Sequence, residues 1–428
     1  MPGDFTIQVY TNPVRANRML TNAWGAYAEG LTFSTNAFGG YAACEFTLRL
    51  DYPQLLNYLY GTTDQPSYVT NRIRILDPFG VVVYEGMIYS LALTAGSETF
   101  AVSADNLYNC ASVEYDVVYA TRTETRVAFD TNSDSRLTFG KKATRQRLDG
   151  VYALAATVPG QVAARFVTQH AALGKPSSRT KGGDSTDLQM QVSCVGLATT
   201  LEWRYAYNNL TASVDTSQIV KDMLSAGAIP ERTAGAHKGI NGWIEQLDDN
   251  KKLAFGQEFI SPTNFTNIAT SGASVPRNVR SGVPRIEIIQ QAAAYGSSNY
   301  RRMLFQVWHD DANAGFGIPY FVEQSEKRPD QSGYSGYFEY AHEPTVLDAG
   351  QTRIPLWRTR AGKWITTLGV VPNTNYPSVY TDPRCFWIEE TTYDVDAATL
   401  TLSSASEFNL TQYIGRLIGG KRVIKDAS

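Results

Sequence analysis

The chain has 428 residues, 43% of them hydrophobic and 18% charged, with a formal net charge of −3. One ordinary core does not hold that many residues, so several folding units are expected, and the composition excludes a disordered chain. The charge balance lacks the basic stripe that grips phosphates, which excludes a dedicated nucleic-acid binder. The start MPGDFTIQVY has no basic region followed by an apolar run, and no stretch approaches the roughly 20 apolar residues of a membrane helix, so neither a signal peptide nor a membrane segment is expected.

Residues 1–115 read as one β module. Phe5, Ile7 and Val9 alternate with Thr6, Gln8 and Tyr10, and Leu31–Phe33 and Ala43–Leu50 continue the period-two pattern. A short helix interrupts them, with Asp51 as its cap, Pro53 in the first turn, Leu55, Leu56 and Leu59 on one face and Gly61 as its end. The segment from Asn71 to Leu93 organises the module. Arg72 and Arg74 alternate with Ile73 and Ile75, as in a half-buried strand, and Asp77-Pro78-Phe79-Gly80 is a turn. Val81 to Tyr84 begins the return strand. Glu85-Gly86 marks a bulge or a close backbone approach, Met87 to Leu93 continues, and Ala95-Gly96-Ser97 turns into Thr99–Ser103. The pattern predicts a three-stranded meander closing a small barrel.

Residues 116–214 read as a looser β-rich second domain, with strands at Val117–Ala120, Arg126–Phe129, Leu188–Gly196 and Leu201–Tyr207. The basic cluster Lys141, Lys142, Arg145 and Arg147 reads as a solvated loop, and Gly174–Asp187 as a surface loop. In the latter, Gly174-Lys175 is no phosphate loop, because Pro176 stands where Ser or Thr is needed. Residues 215–334 read as a mixed α/β middle region. Asp215 or Thr216 caps a helix whose apolar face is Ile219, Val220, Met223 and Leu224. A second helix starts at Pro284 with Ile286, Ile289 and Ala293, and strands follow at Met303–Trp308 and Ile318–Val322. Residues 335–428 read as β again, with an arm at Ile414–Ser428. Tyr84–Asn109 and Trp387–Asn409 share an aromatic and an acid in one strand, a turn and an alternating strand, which suggests a repeat. The expected fold class is therefore mainly β with α+β insertions: two related small β-barrels, one at each end, plus intervening domains.

Candidate chemistry is sparse. Cys44, Cys110, Cys194 and Cys385 are far apart and form no C-x-x-C pair, so they read as buried free thiols. His309-Asp310-Asp311 has the residue types of a metal or acid–base site, but adjacent side chains diverge along a strand and the segment reads as a strand end. His170, His237 and His342 make no ligand spacing. Glu389-Glu390 lacks an identifiable second acid for a glycosidase pair and reads as a charged sheet edge. No catalytic, cofactor-binding or metal-ligating residue is assigned, and the expectation is a protein that is not an enzyme and carries no cofactor. The 25 Tyr suit half-buried strands and protein interfaces.

On these residues the chain resembles the baseplate hub, or tail-tip, proteins of long-tailed bacteriophages. The resemblance is carried by the DPFG turn and the YEGMIYSLAL meander ending in Ser103-Ala104-Asp105-Asn106-Leu107. Leu188–Gly196 with Leu201–Tyr205 and the helix from Asp215 to Ala226 add to it, as does the hairpin from Phe386 to Leu402. It implies two barrels per chain and a homotrimeric ring. Such a ring adapts the sixfold tail tube or distal tail protein to a threefold central spike or fibre, around a channel through which DNA only passes. It also implies a tape measure protein among the partners, a place at the distal end of the virion tail, and assembly in the bacterial host cytoplasm. The weak negative charge suits a surface past which DNA slides. The alternatives are a hexameric distal tail adaptor with one barrel per chain, and a host-glycan-binding or glycan-cleaving tail protein. The last requires aromatic residues and paired carboxylates in one cleft.

Overall fold

The computed structural model describes residues 5–11, 18–62, 66–118, 123–140, 142–152, 157–173, 178–182, 188–209, 213–224, 259–261, 264–275, 279–299, 301–309, 317–324, 336–339, 345–348, 353–368 and 385–403. The N-terminal strands are β1 (Thr6–Tyr10), β2 (Met19–Thr21), β3 (Ala28–Asn36) and β4 (Gly39–Leu48). Helix α1 (Tyr52–Tyr60) follows the expected signals: Leu55 and Leu59 are buried, and Gly61 ends it by donating its N–H to Asn57. Next come β5 (Arg72–Leu76), β6 (Val82–Ala95) and β7 (Glu98–Ser103), the meander read from the sequence.

A second run holds β8 (Cys110–Val118), β9 (Thr123–Thr131), α2 (Ser133–Phe139), β10 (Ala143–Tyr152) and α3 (Thr157–His170). After β11 (Ser178–Lys181), β12 (Leu188–Gly196), β13 (Tyr205–Asn209) and β14 (Val214–Asp215) comes α4 (Thr216–Leu224), with Ile219, Val220, Met223 and Leu224 buried. Then follow β15 (Ser274–Val275), β16 (Val279–Pro284), α5 (Arg285–Tyr295), β17 (Met303–Trp308) and β18 (Ile318–Glu323). The last run is β19 (Gly336–Glu339), β20 (Thr345–Asp348), β21 (Arg353–Pro355), β22 (Lys363–Leu368), β23 (Cys385–Ile388), β24 (Glu390–Asp394) and β25 (Thr399–Ser403).

The main sheet has 13 strands and runs β2-β1-β5-β6-β12-β4-β3-β24-β25, with β7 and β11 added beside β6, and β17 and β18 beside β4. β6 is its spine. β5 pairs with its first half (Arg72↔Met87 to Leu76↔Val82) and β7 with its second (Ser90↔Ser103 to Ala95↔Glu98). β12 runs along the opposite edge from Gly86 to Ala95. Gly86 marks a close approach, since a Cβ there would lie 2.3 Å from the Val195 carbonyl oxygen. The bulge falls three residues later. Ser193 pairs with Ser90 but Cys194 with Ile88, which leaves Tyr89 as the extra residue.

This topology overturns the two-barrel expectation. The path starts at β2 and ends at β25, and no sheet closes on itself among the described residues. The C-terminal hairpin builds no second barrel. β24 pairs with β3 of the same sheet, from Glu390↔Asn36 to Asp394↔Thr32. The apparent repeat therefore matched two hairpins of one sheet, because every half-buried hairpin carries the period-two pattern. A separate five-stranded sheet, β21-β20-β19-β22-β23, lies just before that hairpin.

Five apolar clusters form among the described residues, and three of them set the main elements in place. The largest, inside the main sheet, gathers Ile7, Val9, Trp24, Phe46, Leu55, Ile73, Tyr84, Leu91 and Met190. A second packs α4 and α5 on β17 through Val220, Met223, Ile289 and Phe305. A third sets α3 against β8 through Val113, Ala163 and Val167. Helix α3 was not expected from the sequence. Its Pro159 falls in the first turn, where Pro is tolerated.

Two further expectations fail on charge. Arg72 and Arg74 do not face water. Both are buried with Glu85, which accepts from Arg72 Nε at 2.5 Å and from Arg74 Nε at 2.8 Å. Burial pushes the Arg72 guanidinium down from its usual pKa, and Glu85 opposes the shift. The basic cluster is likewise no solvated loop. Lys141 lies outside the described residues, Lys142 directly precedes β10, and within β10 Arg145 pairs with Glu114 and Arg147 with Asp116 of parallel β8. Lys142 is 6% exposed. Its Nζ donates to the carbonyls of Ala104 (2.6 Å) and Asp105 (3.1 Å) and sits 4.8, 5.3 and 5.9 Å from the rings of Tyr108, Trp203 and Tyr89. Desolvation lowers its pKa to about 8, against the pull of Asp105.

Removing the acid from the buried triad leaves two cations without it, so Glu85→Gln is expected to cost about 3–5 kcal/mol in urea denaturation. For Lys142 the unfolded chain binds the proton up to about pH 10.4 and the folded chain only up to about pH 8. Stability therefore rises with pH across that window. The urea midpoint of the wild type, taken relative to that of Lys142→Met, is expected to increase between pH 8 and pH 10.

Candidate interaction tip

The turn between β5 and β6 follows from its residues. Asp77 Oδ1 accepts the backbone N–H groups of Phe79 and Val81, both at 2.9 Å, and Gly80 adopts φ 78° while donating to the Asp77 carbonyl. Pro78 presets the turn's second position. The other carboxylate oxygen reaches across the chain, where Oδ2 accepts from Trp357 Nε1 at 3.0 Å and from Arg358 Nε at 2.7 Å. Those residues lie on a short 3-10 turn, Leu356–Arg358. Trp357 is in turn packed edge-on against Phe5 and Tyr393. Burial raises the Asp77 pKa, but the hydrogen bonds from Arg358, Trp357 and the Val81 backbone outweigh it and hold the group below the usual carboxylate range.

The result is a rigid apolar tip. Phe79 is 71% exposed and Val81 38%, with Pro78 exposed beside them. The Arg358 guanidinium lies over the Phe79 ring at 5.3 Å. A large aromatic presented to water on a turn locked at four points has the form of a contact anchor. The one carboxylate at the tip, Asp77, is taken up by these hydrogen bonds.

The other candidates disperse. His309 follows the end of β17, with Nδ1 hydrogen-bonded to the Tyr41 hydroxyl at 2.6 Å, and Arg360 Nη2 donates to that hydroxyl at 3.3 Å. Asp310 and Asp311 lie outside the described residues, and among the described residues no three His, Cys, Asp or Glu side chains gather as a metal site. His170 ends α3 and stacks on Phe166 at 4.1 Å. His237, His342, all of 231–258 and the arm Ile414–Ser428 lie outside the described residues. Within the Gly174–Asp187 loop, Ser178–Lys181 forms β11 on β7. Glu389 accepts from Arg302 (3.0 and 3.2 Å) and Trp387 Nε1, whereas Glu390 is exposed and accepts from Asn36, so the two acids serve different partners. Cys44 and Cys194 face each other across β4 and β12 as thiols outside any disulfide, and Cys110 is likewise a buried thiol, 3.3 Å from the Thr131 hydroxyl. Burial and the neighbouring Cys194 push the Cys44 thiol well above its usual pKa, which makes it unreactive.

Sequence reasoning found the DPFG turn but missed its clasp, since Trp357 and Arg358 lie about 280 positions away. The available signal was an apolar pair, Phe79 and Val81, at a turn where polar residues prevail.

Asp77→Ala is expected to cost about 2–3 kcal/mol and to expose Trp357, read as a red shift in its fluorescence. Because the folded-state pKa of Asp77 is lowered, its contribution is complete above about pH 4 and fades as pH falls through the lowered value. Wild type and Asp77→Ala therefore converge in stability under acid.

No family model matches the chain, and no curated protein matches it in sequence. Among solved structures it is similar to the prophage MuSo2 43 kDa tail protein from Shewanella oneidensis, at 7% identity and TM-score 0.35, over 93% of this chain and 94% of that one. It is also similar to the E. coli c3393 protein, described as a component of the type VI secretion system with structural similarity to the T4 bacteriophage tail proteins gp27 and gp5. That match has 10% identity and TM-score 0.27, over 75% of this chain and 74% of that one. The third is the Francisella PdpA–VgrG complex, at 9% identity and TM-score 0.27, over 78% of this chain and 31% of that one. At such scores no residue role passes from those proteins to this one.

Proposed function

We propose that the chain is a non-catalytic structural protein of a phage-type tail tip and that it works as a ring-forming hub. The reading starts from the sequence resemblance. The observation that carries it further is how the resembling segments assemble. The meander β5-β6-β7 and the strand β12 pair side by side around β6, and the closing hairpin β24–β25 joins the same sheet. They make one body, and that body presents the locked Phe79 tip.

In this reading the homo-oligomer is a trimer, with a hexameric distal adaptor second, and each protomer contributes one open sheet rather than two barrels. The partners are the tail tube or distal tail protein and the tape measure protein on one side and a central spike or fibre on the other. DNA passes only in transit, at the distal end of the virion tail. The glycan reading draws no support from Glu389 and Glu390, which serve separate partners.

Electron-microscopy class averages of the purified full chain, or of tail tips containing it, test the proposal. A threefold ring is the expected result. A sixfold ring assigns the protein to the distal adaptor, and a chain that stays monomeric at high concentration overturns the ring-forming reading.

A further inference from the structure

The main sheet carries exposed apolar groups at both ends. At one end stands the tip with Phe79 and Val81. The other end is where β3 begins and β4 finishes. There Ala28 pairs with Leu48, Leu48 with Met190 and Met190 with Leu93, eleven positions along β6 from Val82. At the usual strand rise that separates the two ends by roughly 35 Å. Tyr27, 47% exposed, and Tyr52, 44% exposed, lie on this far rim, where the Arg49 N–H donates to the Tyr27 carbonyl.

The two ends differ in the charged group at their margin. At the tip, Asp77 is buried and paired with Arg358, whose side chain is 25% exposed and lies beside Phe79. On the rim, Arg49 is likewise paired, with Glu29. Asp51, exposed and next to Tyr52, is in the position to cap α1, yet its side chain makes no capping hydrogen bond there. A partly exposed arginine beside an aromatic knob thus stands at one end, and an exposed acid next to Tyr52 at the other.

We infer that the Phe79–Arg358 tip of one copy docks on the Tyr27–Asp51–Tyr52 rim of the next. Two different patches at opposite ends of one rigid sheet make a head-to-tail contact, which closes into a ring when the rotation permits and does not stop at a dimer. Phe79 supplies the desolvated anchor, the tyrosines pack around it, and Arg358 meets Asp51 at the margin. The inference rests on the ring-forming reading above and names the partner as a second copy of this chain.

The test uses the full chain with Phe79→Glu in one preparation and Tyr27→Glu with Tyr52→Glu in another, followed by analytical ultracentrifugation and native mass spectrometry. All three side chains are exposed, so circular dichroism should match the wild type. Each preparation alone is expected to be monomeric, with association weakened about tenfold or more. Mixed one to one, they retain one intact tip and one intact rim, and should form dimers and nothing larger. Should a variant misfold, Asp51→Lys replaces it, and is expected to weaken wild-type assembly more at low salt than at high salt. A variant that assembles like the wild type, or a mixture of folded monomers that gives no dimer, overturns the inference and leaves the ring-forming reading intact. A wild-type chain that does not self-associate overturns both.

Discussion

Everything in the main sheet depends on the backbone ladder of β6. A strand of 14 residues has too many backbone donors and acceptors to leave unpaired, and both of its edges are used. β5 and β7 divide one edge, and β12 takes the other. Because β12 arrives from residues 188–196, the ladder ties together parts of the chain that the sequence pattern assigns to different modules. It also explains why the meander does not close a barrel. The edge needed for closure is already occupied by a strand whose far side leads on through β4 and β3 to the C-terminal hairpin.

Placing so much chain on one sheet buries charge. Glu85 sits between Arg72 and Arg74, and Lys142 sits on two carbonyls amid three aromatic rings. Ion pairs of this kind add little net stability compared with well-packed apolar side chains, but they are costly to break. Lys142 links the 3-10 turn Ala104–Asn106, the strand β10 and Trp203. The bulge at Tyr89 turns that residue's hydroxyl to Asp105, next to the same ammonium. The buried charges therefore register one segment against another, so that a slipped strand would leave a charge without its partner.

Asp77 applies the same economy at the surface. One carboxylate closes the local turn with Oδ1 and fastens it to the C-terminal third with Oδ2. With the turn held at both oxygens, Phe79 would lose little freedom on packing against another surface, which would lower the entropic cost of the docking proposed above. The side chains around the tip serve positioning and shape. Of the acids and histidines that drew attention in the sequence, those among the described residues are engaged elsewhere, Glu389 with Arg302 and His309 with Tyr41.

Local periodicity determined much of this protein. The strand–turn–strand from Arg72 to Ser103, helices α1, α4 and α5, and strands β17 and β18 were all legible, because alternation, capping residues and breakers act over a few neighbouring positions. The turn at the candidate site was legible for the same reason, with Asp77, Pro78 and Gly80 each in a role that chemistry dictates. Tertiary structure alone decided which edges pair, and so whether a barrel closes. It also decided that Arg72 and Arg74 are buried, since outward alternation and inward burial against Glu85 share one pattern. It made a helix of Thr157–His170 despite Pro159, and it brought Trp357 and Arg358 to Asp77. The physical reason is common to all of these. Strand pairing and charge burial are settled by contacts between residues tens to hundreds of positions apart, and an amino-acid sequence states its preferences mainly over the span of a single turn or strand.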